Sequence, residues 1–124
     1  MKRLLAAGLL FLFVIAAYIY GYSYIDNACS QANKYLEKCV NIYESDQNAA
    51  KEAEKLEKYW SKKEKGLSFF ANHADIDEIE LAISSLKTYS GTTNNEIFYE
   101  YSGTVKTLLH QLMEDTTPNI HSIF

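Results

Sequence analysis

Residues 4–25 read LLAAGLLFLFVIAAYIYGYSYI, with no charged side chain and no proline among them. A bilayer hydrocarbon core of roughly 30 Å takes about 20 helical residues to cross, so Leu4 to Ile25 is expected to form one membrane-spanning helix. Lys2 and Arg3 precede it, and Asp26 and Asn27 follow it. Basic residues favour the cytoplasmic side. The expectation is therefore a short cytoplasmic tail at 1–3, a signal anchor at 4–25 and everything from residue 26 outside. Lys34 and Lys38 on the far side make the bias a shallow one. Tyr18, Tyr20, Tyr22 and Tyr24 gather at the outer end of the span, where a ring can lie among acyl chains with its hydroxyl at the headgroups. They read as an outer aromatic belt. A cleaved signal peptide would need a shorter apolar core and a small-x-small site. Gly21-Tyr22-Ser23 is the one passable site, but the run before it is too long and ends in bulky tyrosines. A lipidation site at Cys29 would want an apolar residue where Asp26 stands.

Averaged over all 124 residues the chain is 48% apolar and 23% charged with a net charge of -4, which resembles one soluble acidic domain. The average conceals two parts. The apolar content is concentrated in the span, and all 16 acidic residues follow it against 10 lysines. A part of about 100 residues can just bury one core, and its acidic balance argues against nucleic acid as a partner.

Beyond residue 26 the periodicity is helical, with one proline, Pro118, in the whole chain. An apolar stripe runs through Ala28, Ala32, Tyr35, Cys39 and Ile42, then Ala49, Ala53, Leu56, Trp60, Leu67 and Phe70 at steps of three and four, with Asp46 and Lys63 as its two polar interruptions. Ser45-Asp46-Gln47-Asn48 interrupts it, and Asp46 suits the N-cap of a second helix. Because the stripe keeps its phase across the gap, one rod from 27 to about 70 is the alternative. Asn72 is placed to close that helix in a left-handed conformation, and Asp75 with Glu78 has capping-box spacing for the next. The third helix would bury Ile76, Ile79, Ile83 and Leu86 and end with Gly91 as its C-terminal cap. Thr93 or Asn94 would cap a fourth, with Ile97 or Phe98, Tyr101, Val105, Leu108 and Leu112 inside and its end near Asp115. Residues 116–124 end apolar and are expected to pack back on the bundle. The fold class is thus all-α: a single N-terminal transmembrane helix followed by a small antiparallel three- or four-helix bundle over 26–115.

The order of features resembles a known family. An N-terminal span, Asp46-x-x-Ala49, Leu56-x-x-x-Trp60, then Phe69-Phe70-x-x-His73-x-x-Ile76-Asp77-x-Ile79 and a short Ile-Phe ending are similar to the bacterial DUF4363 family. Its members are small single-span proteins of endospore-forming Gram-positive bacteria whose molecular function is not established. The resemblance implies a setting at a spore membrane or envelope and supplies no catalytic residues.

Candidate chemistry is sparse. His73, Asp77 and Glu80 are the candidate metal ligands, since His73 and Asp77 lie four apart and Glu80 adds a third donor. His110 and His121 are the only distant imidazoles available to join them. Against this, acidic residues belong in the first turn of a helix, and the spacing matches neither a calcium loop nor a zinc helix. No cofactor and no metal are expected. Cys29 and Cys39, ten residues apart on one helix, stand about 15 Å apart and cannot bridge each other. They read as buried thiols, with a like-to-like bridge in a homodimer as the alternative. Lys51, Lys55 and Lys58 alternate with glutamates as a solvated helix face. Lys62, Lys63 and Lys65 could meet phosphate or anionic lipid. Trp60, Phe69 and Phe70 are expected in the core. If exposed they would mark a partner-binding surface, as would Phe124.

No nucleophile elbow, phosphate loop or CxxC element occurs, and enzymatic activity is not expected. The functional expectation is a membrane-anchored, extracytoplasmic helical interaction module binding another membrane or envelope protein. The alternative is a small-ligand or metal-binding sensor. With three residues ahead of the span, sensing would need a partner to relay it.

Overall fold

A computed structural model describes residues 1–45, 47–91 and 94–116. Four helices account for nearly all of them, α1 (Lys2–Glu44), α2 (Ala50–Leu67), α3 (His73–Tyr89) and α4 (Asn95–Thr116). Each helix packs against two others, α1 on α2, α2 on α3, α3 on α4, and α4 back on α1. The result is a closed, antiparallel up-down bundle of four helices, the larger of the two numbers that the periodicity allows.

α1 is 43 residues long, about 65 Å at 1.5 Å per residue. Its first half stands clear of the bundle with its apolar side chains exposed. Its second half supplies one wall of the core through Ile25, Ala28, Cys29, Ala32, Leu36, Cys39 and Tyr43. No break separates the two halves. The bundle also begins inside the apolar run, because Gly21 and Ile25 are already buried. The other walls come from Ala53, Leu56, Trp60 and Leu67 of α2, Ile76, Ile79, Ile83 and Leu86 of α3, and Phe98, Val105, Leu109 and Leu112 of α4. The three- and four-residue steps fixed these faces closely. Tyr35, Ile42, Tyr101 and Leu108, expected inside, sit at the rim of the core, one position from Leu36, Tyr43, Ser102 and Leu109. An apolar stripe is wider than a single row of residues, and packing selects its centre.

The chain does break between α1 and α2, which excludes the continuous rod. Asp46 lies outside the described residues. Asn48 makes the bond seen there, its Oδ1 accepting from the Ala50 amide at 2.9 Å. At the next turn Asn72 opens α3 instead of closing α2: its backbone is extended, with φ −71° and ψ 130°, and its side chain accepts from the Ala74 amide at 3.0 Å. Asparagine serves at either end of a helix, and here α2 ends in a right-handed Ser68 that leaves no left-handed position to fill. Truncating Asn72 to alanine should cost about 1 kcal/mol, read as a lowered denaturant midpoint with an unchanged slope.

Gly91 is likewise not the cap. α3 closes on Ser90 in a right-handed conformation, and Gly91 instead leaves room for Asn48, whose Oδ1 would stand 3.3 Å from a Cβ there. Ala49 donates its amide to the Ser90 carbonyl at 3.3 Å, so the α1–α2 and α3–α4 connections meet at one end of the bundle. Asn94 accepts from Ile97 at 3.4 Å at the start of α4. Tyr43 stacks on Phe98 with ring centroids 3.7 Å apart and donates to Asn95 Oδ1 at 2.7 Å. Thr93 and the segment 117–124, with Phe124, lie outside the described residues.

Candidate membrane-facing end

The opposite end of the bundle carries the features of interest. There α1 emerges with its apolar side chains uncovered, and the α2–α3 connection, Ser68 to Asn72, closes over it. Phe70 lies directly on Gly21, where its Cδ1 would approach an added Cβ to 2.5 Å. It also meets Tyr20 edge-on and Tyr24 at a tilt, both with centroids 6.0 Å apart. Gly66 near the end of α2 gives the same accommodation to Tyr24, whose phenol occupies the space of a side chain there. Two glycines thus seat two aromatic rings where α1 leaves the bundle. Periodicity gave no sign of this pairing. The available signal was a glycine kept inside a helix despite a cost of about 1 kcal/mol relative to alanine.

This geometry divides the tyrosine belt. Tyr18 and Tyr20 are 53% and 64% exposed, as a belt requires, while Tyr22 and Tyr24 are half-buried against the bundle. The aromatic seam then runs on between α1 and α2: Lys63 Nζ stands 5.5 Å from the Tyr24 ring and 5.8 Å from the Tyr59 ring, and Tyr59 packs on Tyr35 at 5.1 Å. Cations over aromatic faces contribute about 0.5–1 kcal/mol at partly exposed sites. Of the three lysines considered for phosphate contact, Lys63 is turned onto tyrosines and Lys62 and Lys65 are free at the surface.

The partner-binding candidates separate in the same way. Trp60 is 1% exposed and fills the core, which removes it from any partner surface. Phe69 and Phe70, expected in the core, are not there: Phe69 is 79% exposed and Phe70 39%. They follow the last turn of α2, where the helical period that would have carried them inward has ended.

His73, Asp77 and Glu80 are not brought together. His73 is exposed at the first turn of α3, and among the described residues no group of three His, Cys, Asp or Glu side chains is placed to hold a metal ion. Asp77 and Glu80 turn instead toward Glu64 of α2. Burial, followed by the charge and hydrogen bond of Glu80 and the charge of Asp77, pushes the Glu64 carboxyl up to about 7, and its Oε1 is buried without a partner. A carboxyl that holds its proton more tightly when folded stabilises most below its ordinary value of 4.5, and loses that contribution as pH rises toward 7. The melting temperature should accordingly fall between pH 5 and 7.5, and Glu64→Gln should flatten the fall. A variant with the same pH slope would remove this carboxyl as its cause.

Elsewhere, Glu57 reaches from α2 to Lys87 of α3 at 3.1 Å, while Lys55 with Glu52 and Lys58 with Glu54 pair within α2 at 3.3 Å. Between α1 and α4 lies an open groove of about 350 Å³, lined by Asn33, Glu37, Asn41, Tyr99 and Lys106 among others.

Cys29 and Cys39 are free and fully buried. Burial, and then Asp26, pushes the Cys29 thiol up to about 12; burial, and then Glu52, pushes Cys39 up to about 11. The thiolate is the reactive form, so neither cysteine should take up a maleimide at pH 8 until denaturant is added. Labelling of the native protein would show that the bundle opens. A bridge to a second copy would require the same opening.

A closed four-helix bundle entered by one long N-terminal helix whose first half is apolar and uncovered is a small all-helical protein by class. The chain belongs to the family described as a domain of unknown function, DUF4363, whose model matches residues 19–123. No curated protein and no solved structure matches it. α1 contains one segment long and apolar enough, by length and composition, to cross a membrane.

Proposed function

We propose that this protein is a single-span membrane protein whose bundle lies outside the cytoplasm and acts, without catalysis, by binding another membrane or envelope protein. The observation that carries the reading is the unbroken α1: the helix whose apolar side chains are uncovered over residues 4–20 also contributes a wall of the core. An anchor continuous with the domain holds the bundle at one height and in one orientation at the membrane. Confinement to a surface raises the effective concentration of a weak binding face for a partner held on the same surface. Lys2 and Arg3 set the direction of insertion. The α1–α4 groove is open and mixes Leu36, Val40 and Tyr99 with Asn33, Glu37, Asn41 and Lys106, which suits a partner's protruding side chain better than an enclosed small molecule.

The test is proximity labelling in intact cells from an enzyme fused after Phe124. Membrane and envelope proteins should be recovered. Recovery of cytoplasmic proteins alone would overturn both the topology and the function.

A further inference from the structure

We propose that the α2–α3 connection is a lipid contact, with Phe69 and Phe70 seated in the interfacial layer of the bilayer and the bundle resting on the membrane. The inference builds on the anchored reading above and adds what its membrane-facing end touches. It follows from a length. The apolar stretch of α1 that the bundle leaves uncovered, residues 4–20, measures about 25 Å at 1.5 Å per residue. A hydrocarbon core of roughly 30 Å needs about 20 residues, which starting from Leu4 brings the slab boundary to about residue 23. Phe70 already lies on Gly21. The loop that carries it is therefore at or below the level where acyl chains give way to headgroups, and Phe69, beside it and uncovered, meets lipid.

The chemistry of that end agrees. Tyr18, Tyr20 and Phe69 form an exposed aromatic collar around the exit of α1, the residue types that partition to the interface. Lys62 and Lys65, exposed on the last turns of α2, can extend their amines to phosphates while their stems lie along apolar surface. The start of α3 opposes any strong preference for anionic lipid, because Asp75, Asp77, Glu78 and Glu80 share this end of the bundle. The contact is thus chiefly apolar, and zwitterionic lipid suffices for it. An exposed phenylalanine in a loop is ordinarily a protein-docking feature, but this one is held against the anchor, where lipid is the first neighbour.

The test uses the full chain in phosphatidylcholine vesicles and two added fluorophores, Phe69→Trp in the loop and Leu10→Trp in the span, each read after subtraction of the Trp60 signal of the unsubstituted protein. Lipids brominated near the glycerol should quench the F69W emission more than lipids brominated at the chain ends. L10W should show the reverse order. Quenching of L10W with an unquenched, water-like F69W emission would overturn the proposal while leaving the anchor intact, and would free the loop for a protein partner. If neither signal is quenched, the anchor and the lipid contact both fail.

Discussion

Replacing Trp60 with alanine is expected to destabilise the bundle by about 3–5 kcal/mol, the range for deleting a buried aromatic side chain. Trp60 is the largest fully buried side chain in the protein and lies on α2, which is packed between α1 and α3. A domain of this size has only about 5–15 kcal/mol of stability in total, so the variant should sit near the threshold of folding. Its melting temperature should fall by at least about 12 °C, measured by circular dichroism in vesicles. Trp60→Phe separates volume from chemistry. The indole Nε1 is buried without an acceptor, and a buried unpaired donor costs about 1–3 kcal/mol. Both variants remove that donor, but phenylalanine keeps most of the ring's volume, so it should be much the milder of the two. A loss in the phenylalanine variant as large as its missing volume alone predicts would show that the indole nitrogen is satisfied in solution, since deleting an unpaired buried donor makes the loss smaller.

The second large effect is expected from Asp26→Pro in α1. Asp26 is exposed, so little side-chain packing is lost, and Asp26→Ala should stay within about 0.5 kcal/mol of the unsubstituted protein. Proline removes a hydrogen bond from the helix and forces its ring against the carbonyl one turn back, at a cost of about 3 kcal/mol or more. The lost bond is to the Tyr22 carbonyl, so the kink would fall over residues 22–26, where Gly21 and Ile25 are buried against the bundle, and would part the apolar half of α1 from the wall it forms. A melting temperature unchanged by proline, with alanine as the reference, would mean that α1 already bends where it leaves the bundle.

The number of helices and most of the core were legible because both depend on spacing along one helix. Leu56 and Trp60, and Ile79 and Ile83, lie four apart, and Val105 and Leu112 lie two turns apart at seven, whatever their neighbours do. What the sequence hid depends on register between helices or on segments without a period. The inward phase that Phe69 and Phe70 seemed to continue stops with α2 at Leu67. Tyr22 and Tyr24 share the composition of the aromatic belt, but only the position of Gly66 across the seam turns Tyr24 onto the bundle. Glu64 approaches Glu80 because α2 and α3 meet at one particular offset, and no local pattern states an offset. At Asn72 the ambiguity was chemical, since the same side chain can finish one helix or begin the next.

The ring of contacts also sets an order of assembly. α1 touches α2 and α4, and no helix reaches across the bundle, so the core is closed only when the fourth helix returns to the first. Until then Cys29, Ala32 and Leu36 of α1 face water along the seam that Val105 and Leu109 of α4 will fill. Helical bundles rich in local contacts fold in microseconds to milliseconds, whereas ribosomes add residues at about 5–20 per second. The pace at which residues 95–116 are synthesised therefore sets how long that seam stays open. During this interval the nascent chain is most exposed to aggregation and proteolysis.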